Sequence, residues 1–171
     1  MNVIIETERL LLRTFTEEDA PLIYDLNLNP EVIRYTFDPI KDVSHALEII
    51  QKVILPQYAL YNHGRWAVHL KPTLEFLGWC GLKYLAEEDE IDLGYRFKKE
   101  YWGKGYATEA AFASIKYGFE KLNLRRIVGR ADPENLGSVA VLEKCNMTYI
   151  GEYEMDGHPV LTYEIFNPSV R

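Results

Sequence analysis

The chain has 171 residues, 47% of them apolar and 26% charged, with a net charge of −7. That length and balance fit one domain spanning residues 1–171 around a single core, and they argue against a disordered chain. The acidic sum argues against a general nucleic-acid binder. The opening MNVIIETERLLLR carries Glu6 and Glu8, so it reads as neither a signal peptide nor a membrane span, and no later stretch reaches 18 apolar residues. Cys80 and Cys145, 65 positions apart, lack metal-ligand spacing and read as buried thiols in a reducing cytoplasm.

In chain order, alternation predicts a strand over residues 3–13. Thr16-Glu-Glu-Asp19 has the form of a capping box and opens a short helix, which Asn29-Pro30 breaks. A second helix runs from about Asp42 to Leu55, with Val43, Ala46, Leu47, Ile50, Val53 and Ile54 on one face, and Pro56 ends or kinks it. Residues 65–70, 76–82 and 90–97 are short strand-like runs. A glycine turn follows, then a helix over about 106–122 whose small face (Ala107, Ala110, Ala111, Ser114, Gly118) suits close packing on a sheet. A strand at 125–131, a helix at 135–145 and two strands joined by Asp156-Gly157 complete the chain. The order β-α-α-β-β-β-α-β-α-β-β predicts an α/β (α+β) sandwich, a mixed sheet with helices on both faces.

Charge is unevenly placed. Residues 96–130 hold nine basic side chains against three acidic ones, a net of +6, which leaves −13 for the rest of the chain. This basic island surrounds Trp102-Gly-Lys-Gly-Tyr-Ala107 at the mouth of the long helix, which suggests an anionic ligand; the alternative is surface charge scattered for solubility. A Walker A loop is excluded because Gly105 follows Gly103-Lys104 where Ser or Thr is required. A dinucleotide fingerprint is incomplete, with Thr108 at its third glycine. What remains is a strand, a loop and a G-x-G turn whose amides open a helix toward a pyrophosphate.

Those residues resemble the Q/R-x-x-G-x-G/A loop of the GNAT N-acetyltransferases, with Trp102 at the Gln/Arg position, a change that removes one polar phosphate contact. Leu93-Gly-Tyr-Arg-Phe97, the stretch Tyr101–Ala110, Pro133-Glu-Asn-Leu-Gly-Ser138, Thr7-Glu-Arg-Leu-Leu-Leu-Arg13 and Gly78-Trp-Cys-Gly-Leu82 are similar to one branch. Its members acetylate ribosomal-protein amino termini (the RimJ/RimL type). The branch usually has Glu-Lys-x-Gly-Phe where this chain has Glu143-Lys-Cys-Asn-Met147, and Asn146 is expected to take the glycine's left-handed role.

The resemblance implies the GNAT fold, with acetyl-coenzyme A (acetyl-CoA) as co-substrate and no metal. Backbone groups at Tyr95, Arg96 and Phe97 are implied to hold the pantetheine arm, and the amides of Trp102, Gly103, Lys104, Gly105, Tyr106, Ala107 and Thr108 the pyrophosphate. Asn135 is implied to contact the pantetheine amide or thioester region. Ser138, in the first turn of its helix, is the candidate donor to the leaving thiolate; N-x-x-S at a helix start is also an ordinary cap. Asp92 is the candidate base, with Glu90 on the same strand face; either can equally be a surface carboxylate. Glu109 near the helix start is explained by the helix dipole alone.

Two functions follow. One is an N-acetyltransferase acting on a primary amine: a protein amino terminus, a polyamine or another small amine. The other is a non-catalytic acyl-CoA sensor or interaction module. Neither nucleic acid nor membrane is implied as a partner, and homodimers are common in the branch.

Overall fold

A computed structural model describes residues 1–170. The expected first strand is two strands, β1 (Val3–Glu6) and β2 (Leu10–Thr14). The reversal is made without glycine or proline. Thr7 N–H donates to the Leu10 carbonyl at 2.9 Å, and Leu10 N–H donates to Thr7 Oγ1 at 3.0 Å, so a threonine hydroxyl does the work of a turn residue.

At the next junction Thr16 N–H donates to Asp19 Oδ2 at 2.8 Å, the carboxylate half of the expected capping box. Helix α1 (Ala20–Leu26) follows. The second expected helix is longer than the sequence suggests. It comprises α2 (Val43–Ile49), a π-helical stretch at Ile50–Ile54 and α3 (Leu55–Tyr61). Leu55 N–H reaches back five residues to the Ile50 carbonyl. That wider turn takes up Pro56, which has no N–H to give, without ending the helix.

The remaining elements are β3 (Arg65–Leu70), β4 (Phe76–Leu85), β5 (Glu90–Phe97), α4 (Tyr106–Glu120), β6 (Arg126–Ala131), α5 (Leu136–Lys144), β7 (Thr148–Met155) and β8 (His158–Phe166). Together they form one eight-stranded sheet of order β1-β2-β3-β4-β5-β6-β8-β7. Every pairing is antiparallel except β5 with β6.

Helices cover both faces. On one, Leu12, Val68, Leu82, Leu93 and Ile127 pack against Ala110, Ala111 and Ile115 of α4 and Leu142 of α5. The small face of α4 permits the close approach: a Cβ on Gly118 would stand 2.8 Å from Leu82 Cδ1. On the other face, Phe15, Ala67 and Phe76 pack against Ile23, Leu26, Ala46 and Ile50. Both thiols lie in the core. Helix α5 ends as expected, with Asn146 at φ 63°. Its N–H returns to the Glu143 carbonyl, and Met147 N–H to that of Leu142.

A candidate acyl-coenzyme A site at the split in the sheet

The parallel junction between β5 and β6 joins only two residue pairs, Asp92 with Val128 and Leu93 with Gly129. Beyond them β6 stays with β8 through Ala131, while β5 stays with β4 through Phe97. The sheet therefore opens along the last four residues of β5. Lys98 N–H donates to the Leu77 carbonyl, and Phe97 lies opposite Gly78. Antiparallel alternation then turns the main chain of Arg96 toward β4, and that of Tyr95 and Phe97 toward the opening.

The two implied strand ends thus differ from Arg96. Its side chain runs to Asn27 Oδ1 and pairs with both Asp38 oxygens at 2.9 and 3.0 Å. Trp102 has a role that the sequence did not reveal: its indole N–H donates to the Phe97 carbonyl at 2.9 Å. The residue that costs the loop a polar phosphate contact instead closes the loop back on β5.

At the turn, Gly103 and Gly105 have φ of 74° and 81°, values that glycine adopts without strain. A Cβ on Gly103 would meet nothing within 4 Å, so the surface there is open to a bulky anion. Helix α4 begins at Tyr106, and its first internal return is Glu109 N–H to the Gly105 carbonyl. The amides of Gly105, Tyr106, Ala107 and Thr108 therefore have no carbonyl one turn back. The N-cap is glycine and brings no side-chain oxygen to them. Four unpaired donors at the positive end of a 15-residue helix suit a pyrophosphate. The residues present fit the coenzyme the sequence implied.

The turn and the split line one cleft of about 600 Å³, shared with Tyr95, Phe97, Asn135, Ser138 and residues 31–36 of the α1–α2 loop. That loop is pinned across the sheet by Asp38 on Arg96 and by Phe37, whose ring stacks on His158 with centroids 4.2 Å apart. A second groove of about 790 Å³ runs along the outer side of α4, between Ile4, Phe112 and Lys116. It lies away from the strand opening.

Asn135 Oδ1 accepts from Ser138 N–H at 3.2 Å, so Asn135 caps α5 and thereby fixes the turn that carries Ser138. Ser138 Oγ lies 2.9 Å from the Tyr95 hydroxyl, which also donates to the Ser138 carbonyl at 2.9 Å. Burial pushes the Tyr95 phenol well above its ordinary value, against the lowering effect of its Ser138 contact, and it keeps its proton.

Both candidate bases are engaged. Asp92 Oδ2 accepts from Arg65 Nη2 at 2.6 Å. Arg65 is further tied to the Gly81 and Asp92 carbonyls, and its guanidinium lies over the Trp79 ring. Glu90 bridges Arg126 and Arg130 at 2.7 and 2.6 Å. Burial alone would raise the Glu90 carboxyl, but the hydrogen bonds from Arg130 and Arg126 hold it below its ordinary value. Glu109, read from sequence as a helix-dipole residue, instead accepts from Thr7 Oγ1 and from Arg9.

A split sheet beside a side-chain-free helix mouth defines an acyl-coenzyme A-dependent acyltransferase. Residues 9–148 match the acetyltransferase (GNAT) domain, and the chain belongs to that family. It is 37% identical over 139 residues to the uncharacterized N-acetyltransferase p20 of Bacillus licheniformis, spanning 80% of this chain and 77% of that one. It is 29% identical over 146 residues to the spermidine N(1)-acetyltransferase of Escherichia coli, spanning 82% and 74%. Among solved structures, a GNAT-family acetyltransferase from Bacillus anthracis superposes with a TM-score of 0.82 at 25% identity, covering 98% of this chain and 99% of that one. The chain is thus an acetyl-CoA-dependent N-acetyltransferase. No helix among the described residues is long and apolar enough to cross a membrane.

Proposed function

We propose that this acetyltransferase acts on an α-amino group, that of a peptide or protein amino terminus, as its resemblance to the RimJ/RimL type implies. The observation that carries this reading is charge pairing on β5, on α1 and on the loop that borders the cleft; of the cleft-lining carboxylates Glu31 is paired, and Glu134 is in no ion pair among the described residues. Asp92 is matched by Arg65, Glu90 by Arg126 and Arg130, Asp38 by Arg96, Asp25 by Lys98 and Glu31 by Lys99. A polyamine needs several uncommitted carboxylates to replace the water around its charges. These carboxylates already have their cations.

The engagement of both candidate bases, Asp92 and Glu90, leads to the same class of amine. An α-amino group with a pKa near ~8 is about a tenth neutral at pH 7, whereas a lysine-like amine near ~10.4 is almost wholly charged. Acetyl-CoA supplies the thioester. The N–H groups of Tyr95 and Phe97 face the opening and serve the arm and the developing oxyanion. One such donor is typically worth about 2.7–4 kcal/mol. The amine nitrogen bonds to the carbonyl carbon and gives its surplus proton to water in the open cleft. The C–S bond breaks, and the Ser138 hydroxyl donates to the leaving sulfur and recovers a proton from that water. The phenol of Tyr95 gives its proton to the Ser138 carbonyl, so in the contact between the two hydroxyls the Ser138 Oγ–H donates to the phenol oxygen, and it must turn from there to reach sulfur. A sensor without turnover has no use for that hydroxyl pair.

The test is incubation with acetyl-CoA and a pooled set of peptide amino termini, spermidine, free amino acids and aminoglycosides, with products read by mass spectrometry. Acetylated peptide amino termini are expected. Spermidine acetylated in preference to every peptide overturns the reading.

A further inference from the structure

We infer that Arg9, in the β1–β2 turn, is a positioning residue for the phosphate-binding turn some hundred residues away in sequence. The inference rests on the coenzyme-binding reading above. Glu109, in the first turn of α4, clamps the hairpin: its Oε2 accepts from Thr7 Oγ1 at 2.6 Å and from Arg9 N–H at 3.0 Å. Its Oε1 accepts from Arg9 Nε at 2.6 Å. Burial opposes the Glu109 charge, but the Thr7 and Arg9 hydrogen bonds outweigh it and hold the carboxyl below its ordinary value. The clamp is therefore charged at neutral pH.

With Nε fixed, the rigid guanidinium has one orientation left. Its Nη1 donates to the Lys104 carbonyl at 3.0 Å, and its carbon lies 4.5 Å from the centre of the Tyr106 ring. Lys104 is the middle residue of Gly103-Lys104-Gly105. A peptide unit is planar and trans, so its C=O and the following N–H point in opposite directions. Holding the Lys104 carbonyl toward Arg9 aims the Gly105 N–H to the other side. Thr7 and Glu109 line the outer groove, whereas Gly105 borders both that groove and the cleft. The side opposite Arg9 is the cleft. Glycines on either side of Lys104 leave this peptide free to rotate, and Arg9 selects one orientation.

The test is calorimetric titration of coenzyme A into the wild type, Arg9→Met, Arg9→Lys and Glu109→Gln, with the melting temperature of each cofactor-free protein. Arg9→Met is expected to weaken coenzyme A about tenfold, the effect of one charge-assisted hydrogen bond. Arg9→Lys keeps the charge but cannot fork to Glu109 and the Lys104 carbonyl together, so it weakens binding to the same extent. Glu109→Gln gives a smaller loss of the same sign. Cofactor-free melting stays within a few degrees of wild type in at least one weakened variant. Wild-type affinity in Arg9→Lys would show that charge alone matters and overturns the inference. Unchanged affinity in Arg9→Met does the same, as does lost affinity only alongside collapsed melting in every variant. A wild type that binds no coenzyme A refutes the coenzyme reading itself, a separate result.

Discussion

The phenol of Tyr95, from the open end of β5, and the hydroxyl of Ser138, from the first turn of α5, meet at 2.9 Å across the cleft. The open end of β5 and the start of α5 are thus joined through the hydroxyl proposed to serve the leaving sulfur. Ser138→Ala is expected to lower kcat about ten- to a thousandfold, the usual range for a proton donor in the transition state, with coenzyme A affinity retained. Tyr95→Phe removes only the partner that orients the hydroxyl, so its loss is smaller. Steady-state kinetics with a calorimetric Kd for each variant check both, and an unchanged kcat in Ser138→Ala removes the residue from the mechanism.

Asp92 gives the opposite expectation. Its carboxylate is held by Arg65, so Asp92→Asn is expected to lower stability while leaving the shape of the kcat/KM–pH profile intact. Arg65 keeps its two carbonyl partners, Gly81 and Asp92, which limits the loss to about 1–3 kcal/mol. Disappearance of the acid limb in Asp92→Asn would instead restore the residue as a base.

A buried chain of three groups contributes to the acid sensitivity. Arg13 pairs with both Asp19 oxygens at 2.7 and 2.9 Å, and its Nε donates to His69 Nε2 at 3.0 Å. A guanidinium only donates, so His69 is neutral, with Nδ1–H directed at the Leu74 carbonyl 3.0 Å away. Burial lowers the His69 pKa from the ordinary 6.5. The unfolded chain therefore binds the proton more readily, and stability falls as pH drops below about 6.5. Asp19 adds a second step. Burial opposes its charge, yet the Arg13 and Thr16 contacts carry its pKa below the ordinary 3.8. The stability it contributes is complete above that value and is lost as pH falls through the lower, folded one. Melting curves from pH 8 to 3 are expected to be flat above neutrality and to decline below it. Asp19→Asn leaves Arg13 unpaired in the interior and is expected to cost about 3–5 kcal/mol.

The two thiols are expected to be inert in the folded state. Burial raises Cys145 to about 11 and Cys80 to about 12, the latter despite its Ser114 contact. Thiolate is the reactive form, so a thiol reagent at pH 8 should label neither until denaturant is added. Rapid labelling of native protein would contradict their placement.

The sequence exposed what is local and concealed what is not. Gly103-x-Gly105 before a run of small residues announced the helix mouth, and Asn146 announced a left-handed helix end, because each rests on neighbouring backbone. The β1–β2 reversal was missed because Glu6-Thr7-Glu8-Arg9 contains no ordinary turn residue; a threonine hydroxyl closes it. The π-helical turn before Pro56 was hidden because a proline reads as a stop. The hold of Glu109 on Arg9, of Arg65 on Asp92 and of Trp102 on Phe97 joins residues from 5 to 100 positions apart, and periodicity carries no signal of which side chains will meet. Ser138 was found by motif, whereas its partner Tyr95 was expected to contribute only backbone. The tyrosine's ring direction depends on where α5 docks.

The opening between β5 and β6 also bears on the lifetime of the folded chain. The amides of Tyr95 and Phe97 have no neighbouring strand there, so they are expected to exchange with solvent more readily than those paired to β4. A pantetheine arm held there, as proposed, would act as a short ninth strand that the gene does not encode. Anything that binds only the folded chain stabilises it by RT ln(1 + [L]/Kd), about 2.7 kcal/mol at a hundredfold excess over Kd. Proteolysis of the enzyme is therefore expected to slow as coenzyme A is added, because the opening is the part of the sheet with the fewest partners of its own.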